Sequence, residues 1–125
     1  MEINLWLDDD DRRRPPICGI AWTWVRSADE AIAAVDVGNV VWASLDHDLA
    51  DEHYFHYLAG NQGKPDFKEK TGMSVLEHMQ EHNLLPKYGV RVHTMNESRK
   101  KEMLELVKRS YGRTFQVQYP GTHFV

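Results

Sequence analysis

Two short apolar runs, each ending in carboxylates, organise the first half of the chain. The first covers residues 3–7 and ends at Asp8 and Asp9, and the second covers residues 40–45 and ends at Asp46. Apolar runs of this length, bounded by polar residues, are typical of strands buried in a parallel sheet. Because the carboxyl ends of parallel strands meet at one edge of the sheet, the pattern predicts that the two acidic clusters converge.

Segments with helical periodicity separate the apolar runs. Ser27 and Glu30 form a capping-box pattern, an apolar stripe follows, and Gly38 is a typical stop signal. Two further segments place Met, Leu and Val on one face, and Asn96 or Ser98 could cap the last of them. The pattern predicts helices at 28–37, 71–83 and 98–111.

Strands that alternate with these helices predict the fold class. They are placed at 3–7, 21–26, 40–45, 90–94 and 114–119. The alternation favours an α/β fold with a doubly wound, mostly parallel, five-stranded sheet, of the flavodoxin-like kind. The stretch 10–20 is rich in Arg, Pro and Gly, so the first helix is predicted to be reduced or missing.

The connection 50–70 is long for a link between a strand and a helix. It begins at the acidic end of the third strand, and a short helix fits near 51–59. We interpret it as an insertion into a single domain, 1–125, that could act as a lid or supply substrate contacts.

Composition narrows the class of protein. The chain has 125 residues, of which 42% are hydrophobic, and its single cysteine, Cys18, excludes an internal disulfide and a cysteine-rich zinc site. No apolar run approaches the roughly 20 residues of a membrane span, and the start lacks a secretory pattern, so we expect a cytoplasmic protein without membrane contact. A net charge of −4 disfavours broad nucleic-acid binding but leaves room for a small phosphate-bearing ligand.

The converging carboxylates are interpreted as ligands of a divalent cation. Asp8, Asp9 and Asp46 supply the oxygen atoms that Mg²⁺ and Mn²⁺ prefer, and a cation would relieve the repulsion between crowded carboxylates. The alternative for Asp8 and Asp9 is a solvated acidic turn beside the arginines at 12–14.

His47, Asp48 and His93 are the candidate catalytic residues. Imidazole titrates near neutrality, so His47 could act as a base, an acid or a ligand, or be held by a backbone carbonyl. His93 ends an apolar strand, where a packed structural histidine is the alternative. Its position beside the third strand predicts a carboxylate–imidazole pair with Asp46 or Asp48, a device for proton transfer or for orienting a ligand.

Four residues are candidates for binding the substrate phosphate. Arg12, within the basic run at 12–14, could clamp a phosphate, and Thr94 and Asn96 could donate hydrogen bonds to its oxygens. Thr71 stands where a helix N-terminus could approach an anion. A solvated basic run and simple helix caps at Thr71 and Asn96 are the alternatives.

Several motifs in this order resemble the cyclic-phosphate processing receiver-like family, over roughly residues 3–105. They are Leu7-Asp8-Asp9 with a following Arg-Pro, Ser44-Leu45-Asp46-His47-Asp48-Leu49, Thr71-Gly72, and Arg91-Val92-His93-Thr94 with Asn96 and Met103. The resemblance implies a fold like that of response-regulator receivers and the hydrolysis of cyclic phosphates, as at RNA ends. The chain departs from the family at Thr94, where a serine is usual, and the receiver lysine after the last strand has no counterpart.

The leading hypothesis is a metal-dependent phosphodiesterase that hydrolyses a cyclic phosphate, such as a 2′,3′-cyclic nucleotide or RNA end. Mg²⁺ or Mn²⁺ is the expected cofactor, a small phosphate-bearing substrate or an RNA end is the expected partner, and the oligomeric state is open. The alternative is a non-catalytic receiver-like module for signalling or protein interaction. Nucleic-acid binding through the basic face of 98–111 is a third reading, which Glu102 and Glu105 disfavour.

Overall fold

The computed structural model describes residues 1–10, 12–15, 21–49, 53, 57–60 and 70–115. Within these ranges four strands alternate with three helices. The strands are β1 (Ile3–Leu7), β2 (Trp22–Val25), β3 (Val40–Leu45) and β4 (Gly89–Val92). The helices are α1 (Ala28–Asp36), α2 (Gly72–Glu81) and α3 (Glu97–Tyr111).

All strand pairs of the sheet are parallel, and the strand order is β2-β1-β3-β4. This is the order of flavodoxin-like sheets, in which ligands bind outside the carboxyl ends of β1 and β3, where the strand order reverses. Leu7 pairs with Leu45, so β1 and β3 end side by side. The arrangement confirms the predicted receiver-like α/β class.

The sheet of the described residues has four strands, and the predicted count of five is wrong. Gly112, in the left-handed region with φ of 76°, ends α3, and Phe115 then packs its ring against Trp42 and Tyr111. Phe115 therefore lies outside any strand, and the rest of the predicted strand 114–119 falls outside the described residues. Residues 8–10 and 12–15 are not helical, which agrees with the predicted reduction of the first helix as far as the structure describes this stretch.

One face of the sheet carries the apolar core beneath the helices. Leu5, Leu7, Ala43, Leu45 and Val90 are completely buried there. Their two-residue spacing within each strand places them on one side. Burial of these side chains against the inner stripes of the helices supplies the main stabilising term of the fold.

The opposite face of the sheet is aromatic and polar. All four tryptophans of the chain, at positions 6, 22, 24 and 42, alternate with the core positions and lie on this face. Trp6 meets Trp22 edge to face with ring centroids 5.5 Å apart, and the buried guanidinium of Arg91 lies 4.2 Å from the ring centre of Trp42. Polar groups on this face can therefore be held in fixed positions at the edge of the sheet.

The predicted insertion is described only in part. Of the connection 50–70, residues 53, 57 and 58 are helical, within the predicted short helix, and the proposed lid lies largely outside the described residues. Every helix in the described ranges is too short or too polar to cross a membrane.

Candidate functional site

Hydrogen bonds that continue the sheet beyond its strands fix the candidate site. The amide of Asp46 donates to the carbonyl of Leu7 at 3.0 Å, and the amide of His93 donates to the carbonyl of Leu45 at 3.0 Å. Asp8, directly after β1, is held in the same way by β2, with 3.1 Å between its amide and the Val25 carbonyl. The residues that follow three neighbouring strands thus share one edge with fixed backbone positions.

Three carboxylates meet at this edge. One oxygen atom from each of Asp8, Asp9 and Asp46 lies within 4.8 Å of the others, and Asp8 and Asp46 are completely buried. Burial, followed by the negative charge of Asp8, raises the pKa of Asp46 to about 8, against the opposing effects of Arg13 and a hydrogen bond from Thr94. Three clustered carboxylate oxygens in a buried site match the donor set of a hard divalent cation, so these residues fit Mg²⁺ or Mn²⁺.

Arg13 is the arginine that reaches the carboxylates. Its Nε lies 3.3 Å from Asp8 Oδ2, and its Nη2 donates to Asp46 Oδ2 at 3.2 Å. The sequence hypothesis preferred Arg12, which instead forms a two-point contact with Asp10 at the surface, with 89% of its side chain exposed. The conformation of the turn determines that Arg13, and not Arg12, contacts the carboxylates, because the side chain of Asp10 also accepts the amide of Arg12 at 2.9 Å.

His93 is packed against Asp8, whereas the sequence placed it beside Asp46 or Asp48. Its Nε2 lies 3.0 Å from Asp8 Oδ2, and its Nδ1 lies 2.8 Å from the hydroxyl of Ser44. The ring stacks on Trp6 at 4.0 Å, and its burial lowers the pKa of His93 despite the contact with Asp8. The arrangement suits a neutral imidazole that donates to Asp8 and accepts from Ser44.

Sequence reasoning missed Ser44 and Trp6 as partners of His93. The signal was available, because strand periodicity places both on the same face of the sheet as His93.

A second polar group lies beside the carboxylate cluster. His47 Nδ1 is 2.7 Å from Asp48 Oδ1, and Asn96 Nδ2 donates to Asp48 Oδ2 at 3.2 Å. All three residues are buried, and Asn96 also caps α3 by accepting the amide of Arg99. Asp48 is thus held from two sides, and His47 forms a carboxylate–imidazole pair with its immediate neighbour, whereas the sequence predicted such a pair for His93.

A cleft of about 500 Å³ opens beside both groups. Its described lining residues are Asp10, Arg12, Arg13, Asp48, Tyr57, Leu58, Thr94, Met95 and Asn96. The hydroxyl of Tyr57 donates to the carbonyl of Met95 at 3.3 Å, which ties the connection 50–70 to the start of α3. The volume lies in the range of small-molecule sites, and the shared residues Arg13, Asp48 and Thr94 join the cleft to the carboxylates.

Thr71 stabilises the start of α2, which packs against the backbone of the site. Its side chain forms a capping box with Ser74, and the next amide, of Gly72, donates to the His47 carbonyl at 3.0 Å. A Cβ at Gly72 would lie 1.7 Å from the carbonyl oxygen of Asp46, so only glycine permits this approach. Thr71 is not among the described residues that line the cleft, unlike Arg12, Thr94 and Asn96.

A parallel sheet in this order, with carboxylates after β1 and β3, defines a receiver-like domain. The family model of cyclic-phosphate processing receiver domains matches residues 3–109, and the chain belongs to this family. This finding confirms the resemblance seen in the motifs and links the chain to cyclic-phosphate processing. No curated protein and no solved structure was found to match the chain.

Proposed function

We propose that the protein is a metal-dependent phosphodiesterase that hydrolyses a cyclic phosphate, with a 2′,3′-cyclic nucleotide or RNA end as substrate. The observation that carries the proposal is the cluster of Asp8, Asp9 and Asp46, two of which are contacted by Arg13, a residue that lines the neighbouring cleft. Clustered carboxylates with a strongly perturbed pKa beside a cleft are typical of functional sites.

The three carboxylates would hold Mg²⁺ or Mn²⁺. When bound, such a cation polarises a phosphoryl oxygen and makes water more acidic. Asp8 is oriented for this role by His93, since the imidazole is itself held by Ser44 and Trp6. His93 is only 1% exposed, which favours a positioning role over contact with substrate.

The phosphate would bind where Arg13, Thr94 and Asn96 face the cleft. A guanidinium, a hydroxyl and an amide are donors that match non-bridging phosphate oxygens. Thr94 and Asn96 are both buried, and at present they donate to the carboxylates of Asp46 and Asp48 respectively. Asn96 Nδ2 has a second hydrogen for the phosphate, whereas the single hydroxyl hydrogen of Thr94 would have to turn from Asp46 to the phosphate. Donors that are already fixed in position lose little entropy when the substrate binds.

Asp48 and His47 are the proposed proton-transfer pair. Hydrolysis forms a bond from a water oxygen to phosphorus, breaks the ester bond to one ribose oxygen, and requires a proton to leave the water and reach that oxygen. Asp48 lies on the cleft wall, and His47, at 2.7 Å, can accept or return a proton through it.

The experiment is turnover of 2′,3′-cyclic and 3′,5′-cyclic nucleotides by the pure protein with Mg²⁺ or Mn²⁺. We expect ring opening of the 2′,3′-cyclic compounds that is lost on chelation and in Asp46→Asn. Asp29→Asn, at an exposed surface acid that pairs with Lys70, is the matched control and should retain activity. Absence of both turnover and nucleotide binding would contradict the proposal.

The competing hypothesis, a non-catalytic receiver-like module, has its own signature. Such a module predicts a stable phosphate adduct at Asp46 after treatment with acetyl phosphate, detected by intact mass. The enzyme proposal expects no such adduct, because Asp46 is buried and its Oδ2 is bound by Arg13.

A further inference from the structure

We propose that Arg13 is the resident counter-cation of the carboxylate cluster: its guanidinium leaves Asp8 and Asp46 when a divalent cation binds and then engages the substrate phosphate. This inference rests on the metal site of the proposed function. The Arg13 guanidinium would exchange one anionic partner, the carboxylates, for another, the substrate phosphate. Arg13 would thus have a role in both the metal-free and the substrate-bound protein.

The oxygen atoms that a cation needs are the ones that Arg13 contacts. Asp8 Oδ1 accepts the amide of Asp10 at 2.9 Å, and Asp46 Oδ1 accepts the amide of His47 at 2.9 Å. In both carboxylates the second oxygen, Oδ2, faces Arg13, at 3.3 Å and 3.2 Å, and Asp8 Oδ2 also accepts His93 Nε2 at 3.0 Å. Arg13 and a cation therefore compete for the same two atoms.

The charge balance of the cluster explains why Arg13 occupies this place and why it would leave. A buried carboxylate is costly unless a positive charge or a bound proton compensates it, and Arg13, with 17% of its side chain exposed, places a positive charge beside both Asp8 and Asp46. A divalent cation supplies twice the charge at shorter distance. Once it is bound, the guanidinium is redundant for the carboxylates and is repelled by the cation.

The cleft offers the released guanidinium a second partner. Arg13 already lines the cleft, and its carbonyl accepts the indole Nε1 of the buried Trp6 at 3.0 Å. With its carbonyl held by Trp6, Arg13 would move from the carboxylates to a phosphate in the cleft by rotation of its side chain, which would also leave Asp10, 3.8 Å from its Nε. A planar guanidinium matches two phosphate oxygens at once, which makes a phosphate in the cleft its natural partner.

Metal binding provides the first test, measured by calorimetric titration of Mn²⁺ alone. Arg13→Gln removes the competing charge, so we expect Mn²⁺ to bind about tenfold tighter or more than in the unaltered protein. Arg12→Gln is the matched control, because it removes the same charge one residue away, and its Mn²⁺ affinity should stay within about twofold. Titrations at several pH values separate this effect from proton competition at Asp46.

Phosphate binding provides the second test, with inorganic phosphate as the probe and Mn²⁺ at saturation. Here Arg13→Gln should weaken binding by about tenfold, whereas Arg109→Gln, on the exposed face of α3, should not. A change of opposite sign for metal and for phosphate is expected of an exchanged side chain and not of a purely structural one. Arg13→Met also removes the charge at a similar side-chain length, and it replaces the glutamine variant in both tests if that variant folds poorly.

A structure with Mn²⁺ bound gives the direct readout. We expect the guanidinium away from Asp8 Oδ2 and Asp46 Oδ2. Retention of both contacts beside the metal, or Mn²⁺ affinity in Arg13→Gln equal to or weaker than in Arg12→Gln, would overturn the inference while leaving the metal site intact. Absence of Mn²⁺ binding in every variant would instead remove the metal site, and the inference with it.

Discussion

At the residue scale, the site is governed by how buried negative charge is compensated. The pKa of Asp46 is subject to effects of opposite sign. Burial and the charge of Asp8 raise it, whereas Arg13 and a hydrogen bond from Thr94 lower it. Burial and the charge of Asp8 outweigh the other two effects. In the metal-free folded protein Asp46 is therefore protonated at neutral pH, whereas in the unfolded chain it is ionised. This proton makes the electrostatics of the site measurable without a substrate.

The stability of the metal-free protein should therefore depend on pH through Asp46. Its pKa is raised from 3.8 to about 8, so between these values the folded state binds the extra proton and stability falls as the pH rises. Relative to Asp46→Asn, the unaltered protein should lose up to about 1.4 kcal/mol per pH unit in this window. Urea denaturation from pH 5 to about pH 8 measures the slope, and Asp29→Asn should reproduce the unaltered slope. Equal slopes for Asp46→Asn and the unaltered protein would refute the raised pKa.

Ser44 should stabilise the protein through His93. Ser44→Ala removes the hydroxyl that contacts His93 Nδ1 and leaves a buried ring nitrogen without this partner. The expected cost is about 1–3 kcal/mol in the free energy of unfolding, measured by urea denaturation. Ser110→Ala removes a hydroxyl that bonds within α3 and should change stability by less than about 0.5 kcal/mol. Similar losses of stability in the two variants would show that the contact between Ser44 and His93 stabilises the protein no more than a hydrogen bond within a helix.

At the element scale, α2 and the turn after β3 support each other. The amide of Gly72 donates to the carbonyl of His47, and the backbone of Asp46 passes too close to Gly72 for any side chain. The first turn of α2 is thus packed directly against the backbone that presents the carboxylate. A displacement of α2 would therefore move Asp46 as well, which would couple the position of the helix to the geometry of the carboxylates proposed to bind the metal.

Gly72→Ala should be severely destabilising and should also impair metal binding. The added Cβ would lie 1.7 Å from the Asp46 carbonyl oxygen, so either α2 or the turn must move. We expect a loss of about 3 kcal/mol or more, together with weaker Mn²⁺ binding. Gly38→Ala is the control, because its Cβ meets open space and only the positive φ of 90° is strained, for a cost of about 1 kcal/mol. A Gly72→Ala protein with unchanged Mn²⁺ affinity would disprove the coupling.

At the scale of the whole molecule, the sheet order explains why so much of the site was predictable. Parallel pairing of β1 with β3 brings residues 8 and 46 together, and this follows from the strand periodicity and the crossover helices alone. The choice between Arg12 and Arg13 was not predictable, because it depends on the hydrogen bonds that Asp10 makes inside a turn. Turn geometry of this kind leaves no periodic signal in the sequence.

The predicted number of strands was also wrong, and tertiary contacts of one residue of the predicted fifth strand are involved. An apolar stretch after α3 satisfies the strand pattern, but the ring of Phe115 finds aromatic partners in Trp42 and Tyr111. Phe115 therefore packs outside the sheet, and residues 116–119 of the predicted strand lie outside the described part of the chain. The carboxylate partner of His93 was also predicted wrongly. The sequence indicated Asp46 or Asp48, but the ring stacks on Trp6 and contacts Asp8.

Metal binding should stabilise the entire fold, because the ligands come from two segments that only the folded sheet brings together. A ligand that binds only the folded state, at a hundred times its dissociation constant, adds about 2.7 kcal/mol to the free energy of unfolding. For a chain of 125 residues this corresponds to a rise of roughly 10 °C in the melting temperature. The rise should vanish on chelation and in Asp9→Asn, which keeps the buried pair of Asp8 and Asp46 intact, and should persist in the surface control Asp29→Asn. Differential scanning calorimetry with Mn²⁺ measures it, and an equal rise in Asp9→Asn would show that the cation acts elsewhere than between these carboxylates.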